Sequence, residues 1–370
     1  MPSVMVNYGR FCEQEVPVSF AGIFLLVSFI SALSILLLTP LAEKLGLVDI
    51  PNDQRKFHHG RIPLIGGVSI YAGLVMGISL FIAPDNSSLT YLACSSLLVA
   101  LGIADDSKDL SAGFRLLFQS LVAGLMCYGS GMHIQFLGDI LGFGNVDLGA
   151  YGYVLTVMAV IAAINAFNMI DGIDGLLGIS SLVTFVSMGF LFYLNHDDTG
   201  MVLALIISVA LIPYLVANLG LSSVVFKKIF MGDTGSMLIG FTVVWLLIQG
   251  THAEVLQPDG SYKTAFSPSA ALWLIAFPLM DMVRVIVVRV LHGKSPLKAD
   301  RTHLHHLFQQ QGDSKFIALL KICTLSAFLA VVGIAMHVSG VREAIIFLLF
   351  LLGFVLFAYR VSRLKKEIVQ

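Results

Sequence analysis

Eleven apolar runs, each close to the length needed to cross a bilayer, fill most of this 370-residue sequence. They lie at 19–41, 64–83, 88–104, 112–132, 151–169, 176–194, 201–220, 235–250, 269–291, 316–337 and 342–360. A helix spans the hydrocarbon with roughly 20 consecutive apolar residues. The bilayer interior offers no partner for an open backbone, so such runs must be helices, and the period-two alternation of a lipid-facing barrel strand is absent. Composition agrees, with 57% hydrophobic and only 12% charged residues and a mean hydropathy of +0.89. A soluble globule is excluded. The expected fold is all-α: a polytopic transmembrane helical bundle of about eleven spans. It reads as one integral membrane domain over 1–370, with short tails at 1–18 and 361–370.

Basic residues accumulate on the cytoplasmic side of a membrane. With the C-terminus inside and the N-terminus periplasmic, nineteen Lys and Arg residues fall on the inner face and only Arg10, Lys263 and Arg342 outside. An error of one helix in the middle of the chain would destroy that asymmetry. The first run is too long for a signal-peptide core and lacks a convincing cleavage site, so it is retained as a helix. The cysteines Cys12, Cys94, Cys127 and Cys323 form no close pair and suggest neither a disulfide framework nor a zinc site. A net charge of −1 points to no nucleic-acid partner.

The polar strings of interest share the inner face. Asp105-Asp106-Ser107-Lys108-Asp109 ends the third run, with Asp109 expected on the helical face of its two neighbours. Carboxylates this close resist joint ionisation, so they suit a general base, a magnesium site or both; a solvated helix end is the plainer alternative. In Asn165-Ala-Phe-Asn168-Met-Ile-Asp171-Gly172-Ile-Asp174-Gly175, polar groups recur every third position at a helix exit. The glycines allow a phosphate or metal to approach the backbone, while a polar seam between helices would explain the same pattern. Phe230-Met231-Gly232-Asp233-Thr234-Gly235-Ser236 precedes the eighth run, where Asp233 reads equally as an N-cap. Asp300-Arg301-Thr302-His303-Leu304-His305-His306 lies in a long inner loop. Its imidazoles, beside Arg301, suit diphosphate oxygens better than zinc, for which no fourth ligand is evident. The basic stretch around Lys56 reads as a topology signal or a substrate contact. Asp281 sits three residues before Arg284 in an apolar run, where mutual neutralisation explains both.

Taken in order and on one face, these four strings resemble the polyprenyl-phosphate N-acetylhexosamine-1-phosphate transferase family. The likeness covers nearly all of residues 19 to 360. It implies a bacterial inner-membrane enzyme with its site facing the cytoplasm. Such an enzyme would move N-acetylglucosamine 1-phosphate from UDP-N-acetylglucosamine to undecaprenyl phosphate, leaving UMP and starting a lipid-linked surface glycan. Magnesium is the implied cofactor, with manganese as a substitute. The resemblance puts Asp233 and Asn168 at the metal, Asp105 and Asp106 at the lipid phosphate, and Asp171 beside them. Asp174 and Asn218 would face uridine, with Asp109 and Lys56 also at substrate. His303, His305, His306 and Arg301 would contact the diphosphate or the sugar. A homodimer is left open.

The chemistry of the residues agrees with that assignment. Transfer between two anionic substrates needs a hard cation and basic donors, because acids alone would repel both. Two routes fit the paired aspartates: direct attack by the lipid phosphate, which is favoured, or a covalent aspartyl intermediate. The rival within the enzyme class is transfer of phospho-N-acetylmuramoyl pentapeptide in peptidoglycan synthesis. A rival of another class is an ion-coupled transporter, which would need charge near the bilayer midplane rather than at one interface.

Overall fold

The computed structural model describes residues 20–50, 60–295 and 302–369. Over these it is a helical bundle, with two antiparallel hairpins of two-residue strands as its only sheets. Lys56, Arg301 and the tail 1–18 lie outside the described residues. The helices that correspond to the apolar runs are α1 (Phe20–Leu45), α2 (Gly66–Phe81), α3 (Asn86–Lys108), α4 (Ala112–Ser130), α5 (Tyr151–Ile170), α6 (Leu176–Leu194), α7 (Asp198–Asn218) and α8 (Gly232–His252). They continue with α9 (Pro268–Leu274), α10 (Ala276–Leu291), α12 (Lys315–Val338) and α13 (Glu343–Val369), and the short α11 (Leu304–Gln310) lies between α10 and α12. Among the described residues nine helices are long and apolar enough to cross a membrane, and the pair α9–α10 makes a tenth crossing if taken together.

Two sequence expectations need correction here. The run at 269–291 is not one helix, since α9 and α10 meet at Ile275 with a bend of 84°. Pro278 is the reason. In a continuous helix it would lack the N–H owed to the Leu274 carbonyl and its ring would clash there, whereas in the first turn of α10 it is tolerated. The Leu274 carbonyl instead accepts the Thr184 hydroxyl from α6 at 3.0 Å. The run at 64–83 gives a helix of only 16 residues, about 24 Å long, so α2 is shorter than the hydrocarbon and packs against α1, α7 and α8. At the other end of the chain α13 continues past the last apolar run as far as Val369.

The bundle is organised around α8. Of the spanning helices it is the most enclosed, and it packs against α2, α3, α5 and α6. Two close approaches set its depth. A Cβ on Gly102 of α3 would lie 2.3 Å from the Thr234 Cα, and one on Gly240 of α8 would lie 2.5 Å from the Ile164 Cα on α5. Only glycine lets the three backbones come this near. The outer faces of α1 and α13 expose Phe24, Phe29, Leu37, Leu348 and Val355, as expected of surfaces solvated by lipid.

Candidate active site

The ends of α3 and α5 and the start of α8 meet at one end of the bundle, and the acid strings meet with them. Asp106, in the last turn of α3, accepts the backbone N–H groups of Asp233 at 2.7 Å and Thr234 at 3.2 Å, and the Thr234 hydroxyl at 2.8 Å. These are first-turn N–H groups of α8 with no intrahelical acceptor. Asp106 therefore caps a helix that its own chain segment does not belong to. Gly232 makes room for this, because its φ is +73° and a Cβ there would lie 2.6 Å from the Asp106 Oδ2. The strand-like segment before α8 is anchored to α2, whose Gly66 and Gly67 N–H groups donate to the Phe230 and Met231 carbonyls at 2.9 and 3.0 Å.

Asn168, in the last turn of α5, donates its side-chain N–H to the Asp233 Oδ1 at 2.5 Å and to the Ser236 hydroxyl at 2.9 Å. Asp171 follows at the C-cap of α5, exposed, and its carboxylate makes no hydrogen bond to the described residues. Desolvation in the recess, then repulsion from Asp233, Asp106 and Asp174, pushes its pKa up to about 7. An exposed side chain keeps much of its hydration, so the like charges are the firmer cause.

Asp105 is placed differently from its neighbour. It is buried, accepting the Leu110 N–H at 2.9 Å and the Arg115 guanidinium of α4 at 2.8 Å. Arg115 also reaches within 4.0 Å of the Asp233 carboxylate. Asp109 stands just past the helix that carries Asp105 and Asp106. The helix stops at Lys108 and Asp109 is its C-cap with φ +51°, a left-handed conformation that Asp tolerates better than most residues. Its N–H donates to the Asp105 carbonyl at 2.8 Å.

Asp174 pairs with Lys228 at 2.7 Å. Asn218 is buried and uses both ends of its amide on backbone, accepting the Gly175 N–H at 2.7 Å and donating to the Ile229 carbonyl at 2.9 Å. In this way it clamps the acidic loop to the segment before α8. A buried amide must be satisfied, and here the backbone does so.

The histidine string reaches the same end. A Cβ on Gly172 would lie 1.9 Å from the His305 Nε2, so the imidazole rests against the backbone beside Asp171. His306 lies beside it, with ring centroids 4.1 Å apart. Burial, then the neighbouring imidazoles His306 and His303, lowers the His305 pKa to about 3, so the ring is neutral at any working pH. His303 is buried and bonds to Asp281 at 2.8 Å. Arg115 and Lys228 are thus partners of acids at this end. The sequence marks these two only as inner-face basic residues, because Lys228 lies 54 residues from Asp174 and Arg115 reaches Asp105 across the turn between α3 and α4.

The donors at this end suit a hard cation. Asp233, Asp106, Asp171 and the Asn168 carbonyl offer oxygens, and the crowding that raises Asp171 is what a divalent ion would relieve. Among the described residues no three His, Cys, Asp or Glu groups already converge as a cage.

Residues 88–251, from α3 through α8, match the sequence profile of Glycosyl transferase family 4. Three curated relatives carry the name undecaprenyl-phosphate alpha-N-acetylglucosaminyl 1-phosphate transferase. That of Salmonella typhi is 41% identical over 335 residues, covering 90% of this chain and 88% of the relative. That of Escherichia coli K12 is 40% identical over 328 residues, covering 88% and 86%. That of Haemophilus influenzae is 42% identical over 342 residues, covering 91% and 92%. None of these three names is that of a muramoyl-pentapeptide transferase or a transporter. With this identity sustained over nine-tenths of its length, and with the acids of α3, α5 and α8 meeting inside the matched segment, the chain belongs to glycosyl transferase family 4, as a multi-pass membrane enzyme.

Proposed function

We propose that the protein transfers N-acetylglucosamine 1-phosphate from UDP-N-acetylglucosamine to undecaprenyl phosphate, at the cytoplasmic face of a bacterial inner membrane. The observation that carries this reading is the meeting of Asp106, Asp171, Asp233 and Asn168 at one end of the bundle, with His305 against Gly172, in a chain so similar to the named relatives. The site stands at the end of membrane-crossing helices, where a lipid phosphate can reach it while its prenyl chain stays in hydrocarbon.

In the direct route an oxygen of the lipid phosphate attacks the β-phosphorus of the UDP-sugar. The bond between that phosphorus and the oxygen bridging to the α-phosphate breaks, and UMP departs with the bridging oxygen. Asp171 is the carboxyl suited to take a proton from the incoming lipid phosphate, because it is exposed, has no hydrogen bond of its own and titrates near neutrality. Asp105, paired with Arg115 and buried, suits that task least. Asp233 and the carbonyl of Asn168 would hold a magnesium ion, which supplies charge neutralisation to the diphosphate. His305 and His306 offer imidazole nitrogens to the same group, and Arg301 and Lys56 stand as further expected contacts. Asp174 with Lys228 is the pair suited to the nucleotide end.

The test is to offer purified protein, magnesium and undecaprenyl phosphate each UDP-sugar separately while nucleotide monophosphate is measured. UDP-N-acetylglucosamine or a near epimer should react alone. Labelled UDP-sugar without lipid should give neither retained label nor UMP; a burst of UMP would favour the covalent route instead.

A further inference from the structure

We propose that Asp281 and Arg284, on α10 outside the acid cluster, are positioning residues of the site: a buried ion pair that grips residues 302–304 and so delivers the His305 imidazole to Gly172. The inference rests on the functional reading above and names residues that the reading does not use.

The grip is made of four contacts. Asp281 is 1% exposed and Arg284 4%. One Asp281 oxygen accepts the Arg284 guanidinium at 2.9 Å and the Leu304 N–H at 3.3 Å, and the other bonds to the His303 Nδ1 at 2.8 Å. Arg284 also donates to the Thr302 carbonyl at 2.5 Å. Charges in such a place are costly, and replacing a buried pair with apolar side chains is often neutral or stabilising. Stability alone therefore does not account for it. The partners Thr302, His303 and Leu304 are consecutive residues where the chain enters α11.

That entry needs outside help. His303 is the N-cap of α11 and makes no capping bond with its side chain; its ring is turned to Asp281 instead. Asp281 supplies an acceptor for the first N–H of the helix, as Asp106 does for α8. The next residue is His305, 2% exposed, with neither ring nitrogen hydrogen-bonded. A buried polar group without a partner costs about 1–3 kcal/mol, and such a group is the exception in folded proteins. The Nε2 of this ring is the atom that would strike a Cβ on Gly172, next to Asp171. A diphosphate oxygen arriving beside Asp171 would give the imidazole the partner it lacks. The α10 pair fixes where that imidazole waits.

The experiment replaces the pair together, as Asp281→Leu with Arg284→Met, so that no lone charge is left buried. Thermal unfolding in detergent should stay close to wild type. The kcat for UMP release should fall about 10- to 100-fold, the scale on which residues that orient a site's histidines from behind act, while KM for UDP-N-acetylglucosamine changes less than about threefold. Adding His305→Ala should cost no more than about twofold beyond this, because both changes remove the same contact. Wild-type kcat in the double variant, or losses that multiply with His305→Ala, would overturn the proposal. Should the double variant not accumulate, Arg284→Lys replaces it, since its nitrogen ends one bond short of the guanidinium nitrogen that holds both Asp281 and the Thr302 carbonyl, and the same two outcomes decide. If wild-type protein releases no UMP from UDP-N-acetylglucosamine, the functional reading fails first, and that failure is visible separately.

Discussion

Asp106 caps the helix that carries Asp233, accepting the Asp233 N–H at 2.7 Å while the Thr234 hydroxyl closes on its other oxygen at 2.8 Å. The two acids come from segments 127 residues apart. The distance between them is set by the packing of α3 on α8, so the chemistry at this end depends on contacts one turn deeper in the bundle.

Gly102 is the most sensitive of those contacts. A methyl group there would lie 2.3 Å from the Thr234 Cα, against backbone that cannot rotate away. Gly102→Ala should therefore lower stability by about 1–3 kcal/mol, the usual cost of overpacking, and reduce kcat by loosening the Asp106 cap. Thermal unfolding and UMP release measured on the same preparation check this; a variant with wild-type values of both would show that the α3–α8 approach is not limiting.

The Asp171 carboxyl predicts a pH dependence. With its pKa raised to about 7, it holds a proton below neutrality and cannot accept another, so kcat/KM should fall as pH drops through about 7. Asp174→Asn removes one of the like charges and should move that midpoint down, whatever it does to the absolute rate. Added magnesium should act in the same direction. The stability sign is opposite to that of a salt-bridged acid. Between the ordinary carboxylate range and about pH 7 the folded chain holds a proton that an unfolded one has released, so this group's contribution falls as pH rises across that window.

Much of this arrangement is legible in the sequence. The lengths of the apolar runs give the helices, and Asp106, Asn168, Asp171, Asp233 and His305 are marked by spacing and residue type. What escapes is of two kinds. The bend at Ile275 is invisible to hydropathy, which reads 269–291 as one run, although Pro278 was its local sign. The partners of the acids escape because ion pairs such as Lys228–Asp174, separated by 54 residues, follow from packing and not from periodicity. Asn218 is named in the sequence only through the family resemblance, as a uridine contact, and its use as a clamp depends on two backbone groups from different segments.

Arg115 is the charge partner of a buried acid. Its guanidinium is 2.8 Å from Asp105, whose side chain is 1% exposed, while Arg115 itself is 31% exposed. Removing it as Arg115→Met leaves an unpaired buried carboxylate, a change that costs 3–5 kcal/mol for a fully buried pair and about 2 kcal/mol after allowance for solvent at the arginine. Asp105→Asn in that background should recover part of the loss. Unfolding temperatures of the two single variants and the double variant give the coupling directly, and additive losses would contradict the pairing.

Asn218→Ala should act on nucleotide binding through the backbone it clamps. It leaves the Gly175 N–H and the Ile229 carbonyl without their partner, at about 1–3 kcal/mol, and frees the loop carrying Asp171 and Asp174. The expected outcome is a larger rise in KM for the UDP-sugar than fall in kcat. A fall in kcat alone would place Asn218 nearer the reacting phosphates than its contacts suggest.

The central claim, that the clustered acids move a sugar phosphate onto a lipid with the help of a divalent ion, is tested most directly by product stoichiometry. Wild-type protein and Asp233→Ala would be reconstituted with undecaprenyl phosphate, UDP-N-acetylglucosamine and magnesium, and both UMP and lipid-linked sugar would be measured, with and without chelator. The predicted result is one UMP per lipid-linked sugar for the wild type, none after chelation, and none from a folded Asp233→Ala protein. Normal turnover by that variant, or UMP released without lipid product, would contradict it.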